Sequence, residues 1–429
     1  MSRAVIIRAR APLLGTMTVP GDKSISHRRA LLSLLVDNEV RLTHFNTGAD
    51  CACTLECLER LGKTVGRQSD GVIISGAAGC APGLLDCGNS GTTARLLMGI
   101  LAGREGQWTL TGDDSLSRRP MERVAEPLRR MGAQIELTDG GLPARITGAR
   151  LRGIEYHSPL PSAQVKSAVL LAALQAEGAT RFREPFLTRD HTERILRIAR
   201  GTDGWIVLDP DSVRVHADSL SARISGDPSS AAFWIAAALL VPDSAVNVDA
   251  VLANPTRVAC IEVLQDAGAR LVMENQLERN NESCADFSAR HGTLRAFTIR
   301  NPRAAQCLDE IPVLAVLATQ ASGASEFRDV GELRVKESNR LELTVRNLRR
   351  MGASVEQSGD RIMVQGEATL RGAEIETAGD HRLAMAFAIA GLAAEGPTVI
   401  QNAESVAVSY PEFWSELERI APGALTMEP

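Results

Sequence analysis

Aromatic side chains are scarce: four Trp, two Tyr and nine Phe in 429 residues. A chain with so few large rings, but rich in Ala, Leu and Gly, has to build an aliphatic, closely packed core. Excess positive charge is also absent. The net charge of −5 excludes a general nucleic-acid binder, which needs a basic face, but leaves room for a local cluster of cations in a cleft. No unbroken run of about 18 apolar residues occurs, and MSRAVIIRARAPL at the start lacks the apolar stretch of a signal peptide. The expectation is a cytoplasmic protein with no membrane partner. The eight cysteines fit reduced thiols better than the disulfide framework of a small secreted domain. Cys51-Ala-Cys53-Thr-Leu-Glu-Cys57 has no second Cys or His cluster to complete a metal site and reads as a helix, so no metal is assigned.

What the chain does have is a repeat. LERLGKTV (58–65), LRRMGAQI (128–135), LQDAGARL (264–271) and LRRMGASV (348–355) are variants of one phrase: the end of an amphipathic helix, a closing Gly, then a strand. IARGTDGWIVL (198–208) and LERIAPGALTM (417–427) are weaker copies. Six units of about 70 residues fill the chain, and the length suits two domains of roughly 200 residues.

A second helix recurs in each unit: SISHRRALLSLLV, SGTTARLLMGILAG, SAQVKSAVLLAALQAEG, GDPSSAAFWIAAALL, DEIPVLAVLATQASG and GDHRLAMAFAIAGLAAEG. Every one starts polar and then turns apolar on nearly all sides, the pattern of a fully buried helix. The expected fold is therefore α/β (α+β), with two similar lobes of three units each. The polar helix starts would line a cleft between lobes, where helix N-termini attract anions. Taken singly, each Ser, Thr or Asp there could be merely an N-cap.

Cations gather at these mouths. Lys23 and Arg28 flank Ser24 and Ser26; Gly88-Asn89-Ser90-Gly91 is a Gly-rich helix entry; Arg118-Arg119-Pro120-Met121 reads as a turn between strand and helix. Ser162-Ala163-Gln164 heads the third helix, and Thr188-Arg189-Asp190-His191 lies in a loop beyond it. In the second half come Asp309-Glu310, then Lys336, Glu337 and Arg340, then Gly379-Asp380-His381-Arg382. Charges this close to buried sequence need partners, and Arg suits two-pronged recognition of carboxylate and phosphate. The ligands should be small and carry several negative charges. Asp309 and Glu337 are either acid–base groups or plain ion-pair partners of Lys336 and Arg340; spacing leaves both open.

PGDKSISHR, LDCGNSGTTAR, RRPM, SAQVKSA, RDHTER, RVKESNRL and GDHRLAMA resemble, in order, the signatures of the 5-enolpyruvylshikimate-3-phosphate synthase family, from about residue 15 to residue 415. The resemblance implies transfer of the enolpyruvyl group of phosphoenolpyruvate to the 5-hydroxyl of shikimate 3-phosphate, with release of phosphate, on the route to chorismate and the aromatic amino acids. It implies no cofactor, a monomer, and two closing lobes of three βαβαββ-type repeats, an inside-out α/β barrel. The lobes would be 1–20 plus 225–429 and 21–224, with the hinge near 20–21 and 223–225.

By the same resemblance, Lys23, Ser24, Arg28, Ser162, Ala163, Gln164, Arg189, Asp309 and Lys336 would bind shikimate 3-phosphate. Lys23, Gly91, Arg119, Gln164, Arg340 and Arg382 would bind phosphoenolpyruvate, with Asn89 shaping the Gly loop. Asp309, Glu337 and Lys23 would carry the chemistry. Many members have a Lys shortly before a Thr/Ser-aromatic-Pro sequence, where this chain has Val408. With SAQVKS, RDHTE and DEIP, that departure resembles the second of the family's two sequence classes. Gly91 stands where Ala is associated with insensitivity to glyphosate, so inhibition by glyphosate is expected. The related UDP-N-acetylglucosamine enolpyruvyl transferases have Lys-Asn at Lys23-Ser24 and a reactive loop Cys, a context that neither Cys80 nor Cys87 offers. A non-catalytic binder of phosphorylated metabolites or of RNA fits less well: the carboxylates and Lys23 are intact and the net charge is acidic.

Overall fold

A computed structural model describes residues 2–79 and 82–428; Cys80 lies outside them. The chain divides into two compact units, Gly21–Ile224 with Arg279–Glu282, and Met1–Pro20 with Ser225–Glu278 and Ser283–Pro429.

In the 21–224 unit three buried helices carry the architecture: α1 (Lys23–Leu32), α2 (Gly91–Ala102) and α3 (Ala163–Ala173). Each is started by a side-chain cap. Asp22 accepts from the Ile25 amide at 2.8 Å, Ser90 from Thr93 at 3.2 Å and Ser162 from Val165 at 3.4 Å. These bonds satisfy amides that a buried helix start would otherwise leave orphaned. Strands Gly83–Asp86 and Gln107–Thr111 run parallel on either side of α2 in sequence, and Glu155–His157 and Thr180–Arg183 do the same for α3. In the second sheet Gln134–Thr138 then pairs antiparallel with Gly141–Thr147 across Asp139-Gly140. Both of these residues have positive φ, 50° and 75°, which suits a Gly-containing two-residue hairpin turn.

In the other unit the equivalent helices are α4 (Pro228–Leu240), α5 (Ile311–Ala318) and α6 (His381–Gly391). Asp227 and Asp380 cap α4 and α6 through the Ser229 and Arg382 amides, at 2.8 and 3.0 Å. Asp309-Glu310, expected from sequence to begin α5, lies instead in the 3-10 turn Leu308–Glu310 ahead of it. Pro312 sits in the first turn of α5, the helix position that tolerates a missing N–H. The N-terminal strands belong to this unit: Arg3–Ile6 lies between Thr398–Gln401 and Leu425–Glu428, and Leu14–Met17 pairs parallel with Ala245–Leu252. Several of the scarce aromatics gather in its core, where Trp234 stacks on Phe413 with centroids 5.2 Å apart and donates to the Tyr410 hydroxyl at 3.1 Å.

The repeated phrase folds as its spacing predicts at four places. Surface helices Ala49–Arg60, Glu122–Met131, Ala259–Asp266 and Arg340–Arg350 run into Gly62, Gly132, Gly268 and Gly352, with φ of 91°, 112°, 89° and 87°. The copy at 198–208 departs. Its helix is the short His191–Leu196, closed by Arg197 at φ 56°, and Gly201 is not among the left-handed residues. The RRPM segment departs slightly too: a short helix, Asp114–Ser117, stands between the strand and the arginine turn. The Cys51–Cys57 stretch lies within the helix Ala49–Arg60.

Helices α2 and α3 approach so closely at Gly99 that an added Cβ would lie 2.8 Å from Ala168 Cα and overlap the Ala168 carbonyl oxygen. Because backbone cannot rotate aside, Gly99→Ala must push the two helices apart. We predict a loss of about 1–3 kcal/mol in urea unfolding, the usual range for overpacking. An unchanged unfolding midpoint would contradict this close approach.

Candidate active site

The mouth of α1 collects polar groups from several elements of the 21–224 unit. Lys23 Nζ is 2.8 Å from Asp50 Oδ2 on the helix Ala49–Arg60, and both side chains are nearly buried. Arg28, one turn further in, is spread over three oxygens: its Nη1 donates to the Ser24 carbonyl at 3.0 Å, its Nε to Thr192 Oγ1 at 3.0 Å and its Nη2 to Ser167 Oγ at 2.9 Å. Arg189 Nη1 donates to Ser24 Oγ at 3.3 Å. Lys23, Ser24, Arg28 and Arg189 are thus brought together. Ser162 and Ala163 stand at the N-terminus of α3, with Ser162 Oγ used as its cap.

The Gly-rich entry of α2 is built around two arginines. Arg119 donates to the Asn89 carbonyl (3.2 Å), to Asn89 Oδ1 (2.6 Å) and to Ser115 Oγ (3.2 Å). Asn89 in turn donates to Asp113 at 2.6 Å, which fixes the loop. Arg95 donates to Gln164 Oε1 at 2.5 Å and to the Pro120 carbonyl at 3.2 Å, while Gln164 Nε2 donates to Thr92 Oγ1 at 2.9 Å. Gln164 therefore ties the start of α3 to the start of α2. A Cβ on Gly91 would stand 2.9 Å from Arg95 Nη1, too close without a shift of that guanidinium, and in ordinary contact, 3.4 Å, with Arg119 Nη1.

Beneath this surface runs a chain of buried hydroxyls. His27 Nδ1 and Thr54 Oγ1 are 2.7 Å apart, Thr54 and Thr93 hydroxyls 2.6 Å, and Thr93 and Ser90 hydroxyls 2.7 Å. It links α1, the helix Ala49–Arg60 and the start of α2. Burial, then the neighbouring Lys23 and Arg28, hold the His27 pKa well below its ordinary value, against a smaller opposing pull from Asp22. The imidazole is neutral, as the crowd of cations requires.

In the other unit the centre is Arg340, which is fully buried. Asp380 grips it in two-pronged fashion, with Nε–Oδ2 at 2.7 Å and Nη2–Oδ1 at 3.2 Å. Its Nη2 also lies 2.5 Å from Glu337 and its Nη1 3.0 Å from Asp309. Burial works against the charge, but Asp380, then Glu337 and Asp309, outweigh it and push the pKa further up. Asp309 also faces Lys336 at 3.3 Å and Arg382 at 3.8 Å. Asp309, Lys336, Glu337, Arg340 and Arg382 therefore form one cluster.

Four participants escaped the sequence reading. Asp380 was visible only as an N-cap, yet the carboxylate that caps α6 also holds Arg340. Asp50 sits on a surface-type helix with nothing to mark it. Arg95 had a signal: it is a charge inside an otherwise apolar helix, four residues after Gly91 and so on the same face. Glu310 had one too, as a carboxylate at the start of an apolar helix; it is 3% exposed, accepts from Ser229 Oγ and lies 3.9 Å from Arg382.

The family description "EPSP synthase (3-phosphoshikimate 1-carboxyvinyltransferase)" matches residues 7–417. A 3-phosphoshikimate 1-carboxyvinyltransferase from Koribacter versatilis is 45% identical over 424 residues, which is 97% of this chain and 99% of that one. One from Geobacillus kaustophilus is 42% identical over 422 residues, 95% and 98% of the two chains. A solved EPSP synthase from Acinetobacter baumannii superposes with a TM-score of 0.86 at 37% identity, covering all of both chains.

The neutral His27 makes stability depend on pH. Unfolded, the ring takes up a proton near 6.5, whereas in the fold it does so only at much lower pH. Below pH 6.5 the unfolded state therefore binds the extra proton, and stability should fall as pH falls, by up to about 1.4 kcal/mol per unit from this group. His27→Gln, which can still reach Thr54, should flatten that acid limb by up to one proton in urea unfolding measured from pH 7 to 5. An unchanged slope would mean that His27 is not held neutral.

Proposed function

The chain belongs to the EPSP synthase family, and on that premise we propose that it transfers the carboxyvinyl group of phosphoenolpyruvate to the 5-hydroxyl of shikimate 3-phosphate, releasing phosphate. The fold is the two-lobed enolpyruvyl-transferase arrangement of three βαβαββ-type repeats per lobe. The observation that carries the assignment of chemistry is the Arg340 cluster, where Asp309 and Glu337 share one buried guanidinium.

In this reading Lys23, Ser24, Arg28, Ser162, Ala163, Gln164 and Arg189 hold shikimate 3-phosphate, the cations and the α3 N-terminus taking the phosphate. Asp309 and Lys336 contact the ring hydroxyls. Gly91, Arg119, Gln164, Arg340 and Arg382, with Lys23, hold phosphoenolpyruvate. Asp309 accepts the proton of the 5-hydroxyl as its oxygen attacks C2 of phosphoenolpyruvate, and Glu337 delivers a proton to C3. The product of that addition is a tetrahedral adduct bearing both substrates. Elimination reverses the flow: a proton leaves C3, the C2–O bond to phosphate breaks, and the enol ether remains. Lys23 and the arginines stabilise charge on the departing phosphate. A second-class sequence, a cytoplasmic setting and a monomer complete the proposal; Val408, at the end of the 3-10 segment Ala403–Val408, offers no cation there.

The assay is phosphate release from phosphoenolpyruvate with shikimate 3-phosphate or UDP-N-acetylglucosamine as acceptor. Release should occur only with the former; release with the latter, or with neither, overturns the assignment. Glu337→Gln should keep substrate affinity within a few-fold while turnover drops by about 100-fold or more, the scale of a lost general acid; normal turnover would remove Glu337 from the mechanism. We further propose that glyphosate inhibits the unaltered chain. Gly91→Ala should weaken that inhibition and raise the KM for phosphoenolpyruvate, because the new methyl displaces Arg95, which holds Gln164. Wild-type turnover unaffected by roughly millimolar glyphosate, well above ordinary substrate-level affinities, would refute it.

A further inference from the structure

Lys166 is a fully buried lysine in a helix otherwise made of Ala, Val, Leu and small polar residues. Its ammonium lies 2.8 Å from Glu184 Oε1 and 2.8 Å from Glu193 Oε1, and it donates to the Thr188 carbonyl at 3.3 Å. Glu184 is fully buried at its side chain and Glu193 nearly so. A buried ion pair is often matched or bettered by apolar residues of similar volume, so stability alone does not explain the cluster.

The segment it holds does explain it. Between strand Thr180–Arg183 and helix His191–Leu196 the chain has no helix or strand pairing to fix its backbone. Glu184 supplies what is missing: Oε1 accepts the Thr188 amide at 3.1 Å and Oε2 the Thr188 hydroxyl at 2.6 Å. With Lys166 on the Thr188 carbonyl, both backbone polar groups of Thr188 are satisfied by one buried ion pair. The next residue is Arg189, which reaches Ser24. Three residues later Thr192 accepts from Arg28, and Ser167, beside Lys166 on α3, accepts from Arg28 and lies 2.8 Å from Thr192 Oγ1. Glu193 then brings the following helix onto the same ammonium.

We propose that Lys166 is a positioning residue for the phosphate of shikimate 3-phosphate: its ammonium pins residues 184–193 onto α3 and so sets Arg189 and Arg28 relative to the α3 N-terminus. This deepens the functional reading above and rests on it. Lys166 touches no substrate. Removing its charge loosens one subsite and leaves undisturbed the groups assigned to phosphoenolpyruvate alone, Gly91, Arg119, Arg340 and Arg382.

Lys166→Met keeps the length and removes the charge. In steady-state phosphate release, the KM for shikimate 3-phosphate should rise about tenfold or more, as displacement of a binding group by a fraction of an ångström to an ångström predicts, while the KM for phosphoenolpyruvate stays within about twofold. Equal changes in both KM values, or a lowered melting temperature with neither KM moved, overturn the proposal. If Lys166→Met does not fold, Glu193→Gln decides: it keeps shape, and should raise the KM for shikimate 3-phosphate about threefold by weakening one charged hydrogen bond; an unchanged KM overturns the proposal. Calorimetric titration of the unaltered chain with shikimate 3-phosphate is run first. No binding there refutes the proposed function itself, a result distinct from normal binding in both the unaltered chain and Lys166→Met, which refutes only the role of Lys166.

Discussion

A guanidinium with no solvent exposure needs partners for its charge and for its N–H groups, and the arrangement around Arg340 follows from that constraint. Asp380 supplies a two-pronged partner, Glu337 and Asp309 supply one oxygen each, and the pKa of Arg340 is driven upward despite burial. Each carboxylate gains a fixed orientation in return. Asp380 is itself anchored by capping α6, and Ser338 donates to it at 3.0 Å, so the cluster is tied to the helix start at one end and to the segment before helix Arg340–Arg350 at the other. Breaking one partner in such a cluster leaves the rest uncompensated, which is why its members act as a unit.

The same rule shapes the 21–224 unit, with different partners. Lys166 is held between two carboxylates, and Lys23 has Asp50. Arg28 donates to two hydroxyls and a carbonyl, partners that fix its orientation. Burial is the largest cause that lowers the pKa of His27, and Lys23 and Arg28 lower it further. The hydroxyl chain from His27 to Ser90 is compatible with that crowding because hydroxyls can turn as donors or acceptors as needed. Polar residues inside α1 are thus not a lapse in an apolar helix. They are the layer that holds the mouths of α1 and α2 in register.

Much of this was legible in the sequence, and for physical reasons. A helix that ends at Gly and runs into a strand leaves a phrase that can be recognised each time it recurs, and four copies fold as written. The copy at 198–208 misled because Arg197, not a Gly, takes the left-handed position, and a non-Gly residue there has no sequence signature. The start of α5 was misplaced because a 3-10 turn and an α-helix share their first residues and differ only in hydrogen bonding, which Pro312 alters. Groups at helix mouths could be found because capping and charge concentrate there. Lys166, Asp50 and Glu184 could not, because the Lys166–Glu184 and Lys23–Asp50 pairs span 18 and 27 residues and pairing over that distance leaves no local pattern.

Spacing left two readings of Asp309 and Glu337, ion-pair partner or acid–base group, and the cluster shows why they are not exclusive. A carboxylate that is to exchange a proton at one atom of a ligand has to be held within hydrogen-bond reach of that atom, and a flexible side chain in water is not. Arg340 provides the hold: buried, it has no other place to go, and its planar fork fixes Asp309 and Glu337 at 3.0 and 2.5 Å. Lys336, by contrast, is 30% exposed at its side chain and 3.3 Å from Asp309, a separation that can lengthen when a ligand arrives. The rigid partner sets the geometry, and in the proposed reading the exposed one yields to a hydroxyl of the substrate. In the proposed mechanism, ion pairing is therefore the means by which these two carboxylates become available for chemistry.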